Sequence, residues 1–386
     1  MFNKLFLVGL ALYISKAIEL KILGIILPSF LTDYYTLGAY ILMYLVVARI
    51  QLDFAIKYFV KEKVPPENRS VLITGCDSGF GHLLAKRLDS IGFHVFASCL
   101  FPEGKGACDL KKQCSKRLQV LGLNVKEDDS VKSAFKFVKE NLGTSEFWAL
   151  VNNAGILKGI DVELTKMKDF RENFEVNVFG PVRTTKAFLP LLRQSRGRVI
   201  NVTSRGGRLS FPFMTPYLMS KFAAVGFTEC LKQEMDVWGV KVIAVEPDMF
   251  STGLIARDNV MKTIDESFSS SDDEVKEDYG EKYIKEFEQL IEFTLRLGSS
   301  NTSAVVDALE DAVSLTHPCS VYKPCRNIFV EMLYYVLERI PRPVVDLFIK
   351  IALVVLKFPK PKAVEINSQL PFSETCEKHN CKSKSS

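Results

Sequence analysis

The sequence predicts an α/β fold in which helices cover both faces of a parallel sheet. Short runs rich in Val, Ile and Leu alternate with stretches of helical spacing about every 25–40 residues along the middle of the chain. Connections of this length suit the crossover helices that parallel strands require. The 386 residues, 47% of them hydrophobic, leave room for one large domain with additions at both ends. We therefore expect a doubly wound sheet domain over residues 68–320.

Residues 1–50 are unusually apolar and are expected to precede this domain as a membrane anchor. Three apolar runs, Leu5–Ser15, Ile22–Leu31 and Tyr34–Ala48, follow one another, and the last carries no charge over 15 residues. No run reaches the ~20 apolar residues of an ideal membrane span. We predict one or two hydrophobic helices here, with a soluble helical cap on the core as the alternative. Residues 51–67 are expected to be a linker.

The composition argues against two classes of function. The net charge of +5 is mild and predicts no nucleic-acid partner. The nine cysteines are scattered and include no Cys-x-x-Cys pair, so neither a disulfide framework nor a zinc site is expected. Cys376 and Cys381 flank His379 in a polar tail, which we interpret as a solvated segment without a bound metal.

The first strand runs into a glycine-rich turn that suits a dinucleotide. Ser70–Thr74 has the pattern of a short buried strand, residues 75–81 have the sequence GCDSGFG, and a helical pattern follows. Glycines let the backbone approach a pyrophosphate, and the start of the helix offers free N–H groups. The spacing Gly-x-x-x-Gly-x-Gly differs from the commoner Gly-x-Gly-x-x-Gly, so this turn alone is weak evidence for a dinucleotide site.

The end of the second strand bears on the choice between NAD and NADP. This strand, His94–Leu100, is expected to end near the adenosine ribose, where an acid binds the 2′-hydroxyl and an arginine accepts a 2′-phosphate. Cys99 is neither, and Lys105 lies several residues further on. We therefore predict NAD, with NADP as the open alternative. Asn124, at the end of the third strand Leu118–Val125, is expected either to touch the adenine or to be an ordinary strand-end residue.

The stretch Gly197–Lys221 carries the candidate catalytic chemistry. Its strand, Arg198–Val202, ends next to Ser204, and a helix follows after a loop. Tyr217 and Lys221 are four residues apart and share one face of that helix. A free tyrosine has a pKa of about 10, and a neighbouring ammonium is expected to lower it. Ser204, Tyr217 and Lys221 can then move a proton onto or off a hydroxyl or carbonyl oxygen.

Several motifs in a fixed order together resemble the short-chain dehydrogenase/reductase family over residues 68–320. A Tyr-x-x-x-Lys pair alone is expected by chance, whereas the whole set is specific. The sequences TGCDSGFG, LVNNAGI and GRVINVTS are similar to the branch that contains type 2 17β-hydroxysteroid dehydrogenase, the retinol dehydrogenases and mitochondrial 3-hydroxybutyrate dehydrogenase. The set comprises the glycine turn after Thr74, NNAG at residues 152–155, Asn177, Ser204, the Tyr217–Lys221 pair and Pro247.

The resemblance implies a Rossmann-type nucleotide fold and assigns roles to the matching residues. Tyr217 would be the general acid/base, Lys221 would lower its pKa and bind the nicotinamide ribose, and Ser204 would hold the substrate oxygen. Asn177 would hold a water in the proton relay. One residue departs from the family pattern, because Asp248 follows Pro247 where glycine is usual, which puts cofactor affinity in question. The cofactor would contact Gly75, Ser78, Gly79, Phe80 and Gly81 at the pyrophosphate, Asn153, Ala154 and Gly155 on the adenosine side, and Pro247 beside the nicotinamide.

The remainder of the chain predicts a substrate lid, a helical extension and a basic tail. Residues 254–300 are expected to cover the substrate, and residues 321–386 to form the extension and tail. Val344–Phe358 is apolar and is expected to lie at a membrane interface, to cover the core or to form a dimer contact. Lys382 and Lys384 form a pattern similar to a dilysine retrieval signal. We expect the endoplasmic reticulum membrane, with a cytosolic catalytic domain, and a mitochondrial membrane as the alternative.

The predicted function is the NAD-dependent oxidation of a hydroxyl group on an apolar alcohol such as a steroid or a retinoid. Arg205 and Arg208, near Ser204, are candidate clamps for the alternative substrate, a small hydroxy acid such as 3-hydroxybutyrate. An inactive, membrane-bound scaffold is the alternative from another class of function. The expected partners are the small alcohol or ketone, membrane lipid and a second copy of the chain in a homodimer.

Overall fold

The computed structural model describes residues 34, 36–49 and 61–369. The chain divides into two compact units, Met1–Glu62 and Lys63–Ser386. In the first unit, residues 36–49 form a helix.

The predicted membrane anchor falls largely on residues that the structure does not describe. Leu5–Ser15 and Ile22–Leu31 lie outside the described residues, as do Lys382 and Lys384. Among the residues that are described, no helix is long and apolar enough to cross a bilayer.

The second unit is built on a seven-stranded sheet whose neighbouring strands are all parallel. The strand order is β3-β2-β1-β4-β5-β6-β7, so the chain winds first toward one edge of the sheet and then toward the other. This confirms the predicted doubly wound parallel sheet. The strands are β1 (Arg69–Ile73), β2 (His94–Cys99), β3 (Leu118–Gly122), β4 (Glu146–Asn152), β5 (Arg198–Val202), β6 (Lys241–Val245) and β7 (Val321–Tyr322).

Every connection between successive strands contains at least one helix, and among the described residues three further helices follow β7. In chain order these are α1 (Gly79–Ser90), α2 (Lys105–Gln113), α3 (Asp128–Asn141), α4 (Met167–Phe174), α5 (Gly180–Ser195), α6 (Thr215–Asp236), α7 (Arg257–Ser270), α8 (Asp273–Arg296), α9 (Ser303–Ser314), α10 (Ile328–Leu337), α11 (Arg342–Val355) and α12 (Lys362–Gln369).

These helices form a separate apolar core on each face of the sheet, because successive strand residues point to opposite sides. Val71 and Ile73 belong to the core that also contains buried residues of α1, α2 and α9. Leu72, between them, belongs to the core shared with α3, α5 and α6. Because the strands are parallel, the glycine turn after β1, the NNAG motif after β4, Ser204 after β5 and Pro247 after β6 all lie at one edge of the sheet.

The helical pattern over residues 170–192 predicts one continuous helix, but the structure interrupts this helix in its middle. A π-helical segment, Glu175–Phe179, separates α4 from α5, and Asn177 lies inside it. Gly180, directly after this segment, is the sequence feature that indicates close packing here, because an added Cβ would lie 2.8 Å from a methyl carbon of Val125. The turn after Asn177 therefore packs directly on the loop that follows β3. π-Helical insertions of this kind occur frequently at functional sites.

The C-terminal part of the chain completes the sheet and contributes to a third apolar cluster. Strand β7 belongs to the sheet, so the predicted boundary at residue 320 cuts one strand from the domain. Helices α7 and α8 share a third apolar cluster with Phe213 and with Phe358, which follows α11. The rings of these two phenylalanines stack with centroids 3.9 Å apart. The extension therefore packs against α7 and α8 instead of leaving the domain.

Candidate active site

A cavity of about 650 Å³ opens at the carboxyl edge of the sheet. Most of the predicted site residues line this cavity, whereas Gly81 and Asn177 lie behind its wall. The topology explains the convergence, because the loops after parallel strands meet at one edge. The lining residues predicted from the sequence are Gly75, Ser78, Gly79, Phe80, Asn124, Asn153, Ala154, Gly155, Ser204, Tyr217, Lys221 and Pro247.

The glycine turn has the geometry of a cradle for a pyrophosphate. Gly75 and Gly79 have φ values of 71° and 64°, which side chains rarely adopt. A Cβ on Gly81 would lie 2.4 Å from the side-chain nitrogen of Asn153. Helix α1 begins at Gly79, and the side chain of its N-cap residue, Ser78, forms no capping hydrogen bond. The first N–H groups of α1 are thus open to an anion.

Asn153 supports this turn through hydrogen bonds of its own. Its side-chain nitrogen donates to the backbone oxygens of Thr74 (2.9 Å) and Gly75 (3.1 Å). In return, the hydroxyl oxygen of Thr74 accepts from the backbone N–H groups of Asn153 and Ala154, both at 3.0 Å. The two loops after β1 and β4 are therefore locked together. The side-chain nitrogen of Asn153 is engaged in this support, and Asn153 also lines the cavity, so its contact with the cofactor stays a prediction.

Ser204, Tyr217 and Lys221 come together as the sequence predicted. The Ser204 hydroxyl oxygen accepts from the N–H of Gly206 at 3.0 Å, and its side chain is also hydrogen-bonded to the Tyr217 phenol. The Lys221 Nζ lies 5.6 Å from the centroid of the Tyr217 ring and donates to the backbone oxygen of Val202 at 3.2 Å. The hydroxyl, phenol and ammonium groups thus face one part of the cavity.

Asn177 supports the catalytic group from behind. Its Oδ1 accepts from the N–H of Ile156, and its Nδ2 donates to the Ile156 oxygen and to the Ser220 hydroxyl, all at 2.9 Å. The side-chain amide therefore couples the loop after β4 to α6. Gly155 was predicted on the adenosine side, but a Cβ there would lie 3.4 Å from the Asn177 Oδ1 and 3.9 Å from the Lys221 Nζ. The structure places Gly155 at the catalytic end of the cavity.

Burial controls the protonation of the two titratable groups. Desolvation raises the pKa of Tyr217 to about 12, and the hydrogen bond with Ser204 acts in the opposite direction. Desolvation also lowers the pKa of Lys221 to about 8. The sequence predicted that Lys221 lowers the pKa of Tyr217. In the structure the net shift of the Tyr217 pKa has the opposite sign, because the loss of solvent around the phenol outweighs its hydrogen bond with Ser204.

Comparisons with known proteins agree with this geometry. Residues 69–262 match the family model described as short chain dehydrogenase. Estradiol 17-beta-dehydrogenase 2 of Mus musculus is 39% identical over 70% of this chain and 71% of the relative. The mitochondrial D-beta-hydroxybutyrate dehydrogenase of Rattus norvegicus is 41% identical over 66% of this chain and 76% of the relative. Retinol dehydrogenase 16 of Homo sapiens is 38% identical over 72% of this chain and 87% of the relative.

A solved structure shows the same fold. The short chain dehydrogenase/reductase from Burkholderia phymatum, in complex with NAD, superposes with a TM-score of 0.56 at 18% identity, over 70% of this chain and 93% of that chain. The chain belongs to the short-chain dehydrogenase family. It is an oxidoreductase of the NAD(P)-dependent alcohol dehydrogenase type. The glycine turn and the open start of α1 fit the pyrophosphate of that cofactor.

Asp248 of this dehydrogenase belongs to a buried cluster that the sequence did not reveal. Its carboxylate is 1% exposed and forms an ion pair with the Arg326 Nε at 3.0 Å. It also accepts from the Tyr334 phenol at 3.1 Å and from the Cys325 thiol at 3.5 Å. Asp248, Arg326 and Tyr334 all line the cavity. The carboxylate beside Pro247 is thus neutralised by the C-terminal extension, which forms part of the site.

The two arginines proposed as substrate clamps are engaged elsewhere in the dehydrogenase. Arg205 is 4% exposed and donates to Glu338 of the extension at 2.7 Å. Arg208 donates to Glu246 at 3.0 and 2.8 Å and to Glu229 at 2.6 Å. Both guanidinium groups therefore hold the protein together, and both already have carboxylate partners.

Replacing Lys221 by Met is expected to stabilise the folded dehydrogenase at neutral pH. Below pH 8 the folded and unfolded states both carry the Lys221 charge, but the folded state carries it in a desolvated site. The buried charge destabilises the folded state by about 3 kcal/mol at most. This destabilisation disappears between pH 8 and about 10.5, because Lys221 loses its proton at a lower pH in the folded state than in the unfolded state. The stability gain of Lys221→Met over the wild type should therefore shrink through that window. Thermal unfolding at pH 7 and pH 10 measures it, and an equal gain at both values would contradict the desolvation account.

Proposed function

We propose that this dehydrogenase oxidises a hydroxyl group of an apolar alcohol, such as a steroid or a retinoid, with NAD as cofactor. The observation that carries the proposal is the apolar lining of the cavity around the catalytic groups. Two guanidinium groups also line the cavity, but Arg205 is paired with Glu338 and Arg326 with Asp248. The apolar lining includes Phe213, Met214, Ile264, Phe287, Ile291 and Leu295.

The catalytic groups have separate roles in this proposal. Ser204 holds the substrate oxygen beside Tyr217, and Tyr217 takes the hydroxyl proton while the hydride leaves the carbinol carbon, so that a carbonyl group forms. NAD, when bound, supplies the hydride acceptor. Lys221 places a positive charge beside the phenol, which favours the phenolate, and would bind the nicotinamide ribose. Asn177 keeps α6 in register with the loop after β4, in addition to any water it holds.

A small hydroxy acid is the second candidate substrate, and two observations favour it. The D-beta-hydroxybutyrate dehydrogenase is as similar to this chain as the steroid enzyme is. Arg326 also brings a guanidinium group to the cavity wall, where its ion pair with Asp248 leaves other donors of the group. The inactive scaffold is a third reading, and the filled catalytic positions argue against it.

A substrate panel separates these three readings. Initial rates of NADH and NADPH formation would be measured with the detergent-solubilised full chain and with steroid alcohols, retinols and 3-hydroxybutyrate. We expect turnover of an apolar alcohol with NAD. Turnover of hydroxybutyrate alone would overturn the apolar substrate, and no turnover by a protein that still binds NAD would favour the scaffold.

We further propose that the enzyme works at a membrane, with residues 1–50 as the anchor. The endoplasmic reticulum is the preferred location and a mitochondrial membrane the alternative. In the part of the chain that the structure describes, α11 buries Val345 and exposes apolar side chains such as Phe348, Ile351 and Val354. Exposed apolar helix faces can bind lipid or protein. The face therefore suits the bilayer, or a second copy of the chain.

Charging this face is expected to impair delivery of the apolar substrate. In vesicles, the double variant Phe348→Glu/Ile351→Glu should raise the KM for the alcohol by roughly fivefold or more, without changing the KM for NAD. Val237→Glu is the matched control, because Val237 is an apolar residue exposed elsewhere on the domain. If the KM for the alcohol is unchanged and light scattering gives the double variant half the mass of the wild type, the face is a dimer contact instead.

A further inference from the structure

The carboxylate of Asp77 lies at the end of a strand to which it does not belong. Asp77 is part of the glycine turn after β1, but its Oδ2 accepts from the N–H of Leu100 at 2.8 Å and its Oδ1 accepts from the N–H of Phe101 at 2.9 Å. Both donors follow β2 directly. All three residues line the cavity next to Gly75 and Gly79.

This is the place where such folds hold the adenosine ribose. An acid at the end of the second strand usually binds the ribose 2′-hydroxyl, and an arginine there accepts a 2′-phosphate. The strand end of this chain, Cys99 to Phe101, carries no charge of its own. In the structure the neighbouring loop after β1 supplies the missing charge, because Asp77 places its carboxylate at the backbone of Leu100 and Phe101.

We propose that Asp77 selects NAD over NADP by placing its carboxylate at the ribose end of the cavity. Each carboxylate oxygen accepts one backbone hydrogen bond and keeps a further lone pair for a ribose hydroxyl. A 2′-phosphate offers no donor in its ionised form and adds negative charge beside a carboxylate, so it is repelled. This inference rests on the proposed use of a nicotinamide dinucleotide and adds the residue that decides which one.

The surroundings of Asp77 hold its main chain in place and pair the nearest lysine. Helix α2 packs on its main chain so closely that a Cβ on Gly106 would lie 1.9 Å from the Asp77 backbone oxygen. The nearby cation Lys111 is paired with Glu103 at 3.0 Å and also donates to the Pro102 oxygen at 3.0 Å. The main chain of Asp77 is therefore held against α2, its carboxylate is held by the two backbone N–H groups, and Lys111 is not positioned as an unpaired phosphate ligand.

The test compares binding of nucleotides with and without the 2′-phosphate. Dissociation constants of NAD, NADP, AMP and adenosine 2′,5′-bisphosphate would be measured by calorimetry on the full chain in detergent. Asp77→Asn should lower the preference for NAD over NADP by roughly tenfold or more, mainly through tighter binding of the phosphorylated ligands. Asp77→Glu should keep the wild-type preference. Glu140→Gln is the matched control, since it removes the same charge from an exposed site that does not line the cavity.

The outcomes separate this inference from the proposed function. A folded Asp77→Asn that binds NAD with an unchanged preference would overturn the role of Asp77. Failure of the wild type to bind either dinucleotide would count against the proposed function itself. If Asp77→Asn does not fold, the single variant Leu100→Arg tests whether the ribose lies at this end of the cavity. The added cation should tighten binding of adenosine 2′,5′-bisphosphate by roughly tenfold or more, and unchanged binding would overturn the placement of the ribose.

Discussion

Replacing Tyr217 by Phe is expected to lower kcat by about 10³-fold or more, with the dissociation constant for NAD changed by less than about twofold. The variant removes one hydroxyl oxygen and keeps the ring, which is the part that packs in the wall of the cavity. The hydroxyl is the group that takes the proton from the substrate, and it is hydrogen-bonded to Ser204. Steady-state rates and NAD binding by calorimetry measure the two effects separately.

The matched control for this prediction is Tyr279→Phe. Tyr279 lies on α8 and donates from its phenol to Glu163 at 2.8 Å, so the variant also removes a hydrogen-bonded phenol. Because Tyr279 does not line the cavity, its kcat should stay within about twofold of the wild type. A fully active Tyr217→Phe, or an equal loss in both variants, would remove the basis for Tyr217 as the general acid/base.

Replacing Asp248 by Ala is expected to destabilise the domain by about 3 kcal/mol. The variant leaves the half-buried guanidinium of Arg326 without its carboxylate and takes the acceptor from the Tyr334 phenol. Removing one partner of a buried ion pair is costly because the remaining charge stays desolvated. The free energy of unfolding in urea measures the loss. A second expected effect is a higher KM for the alcohol, since Arg326 and Tyr334 line the cavity.

Two further variants identify the cause of this loss. The double variant Asp248→Ala/Arg326→Met should be more stable than Asp248→Ala, because it removes the orphaned charge. Asp129→Ala removes a carboxylate whose ion pair with Lys132 is almost fully exposed, and no measurable change is expected there. Equal stability of Asp248→Ala and the wild type would show that the extension is held without this cluster.

Local sequence signals were sufficient for the sheet and for the centre of the site. The apolar strands, the glycine turn and the four-residue spacing of Tyr217 and Lys221 each depend on neighbouring residues, and parallel pairing then brings the strand ends to one edge. The position of Ser204 beside Tyr217 follows from the same topology. No long-range contact had to be known for these predictions.

Features that depend on distant contacts were not predictable in the same way. Asp248 was recognised as unusual, but its partners Cys325 and Tyr334 lie 77 and 86 residues further along the chain. Asp77 contacts the end of β2 across 23 and 24 residues of chain, and the pattern of β2 itself does not indicate this contact. The sign of the pKa shift of Tyr217 depends on how completely the site is desolvated, and sequence spacing does not report burial.

The most direct test of the central claim is to follow the hydride from the carbinol carbon of the substrate. The full chain in detergent would be incubated with NAD and with the best alcohol of the panel, labelled with deuterium at that carbon, and the NADH analysed by mass spectrometry. The account predicts deuterium in the NADH, an equal amount of the carbonyl product, and almost no labelled NADH from Tyr217→Phe. Unlabelled NADH, or the absence of NADH from every alcohol although NAD binds, would contradict it.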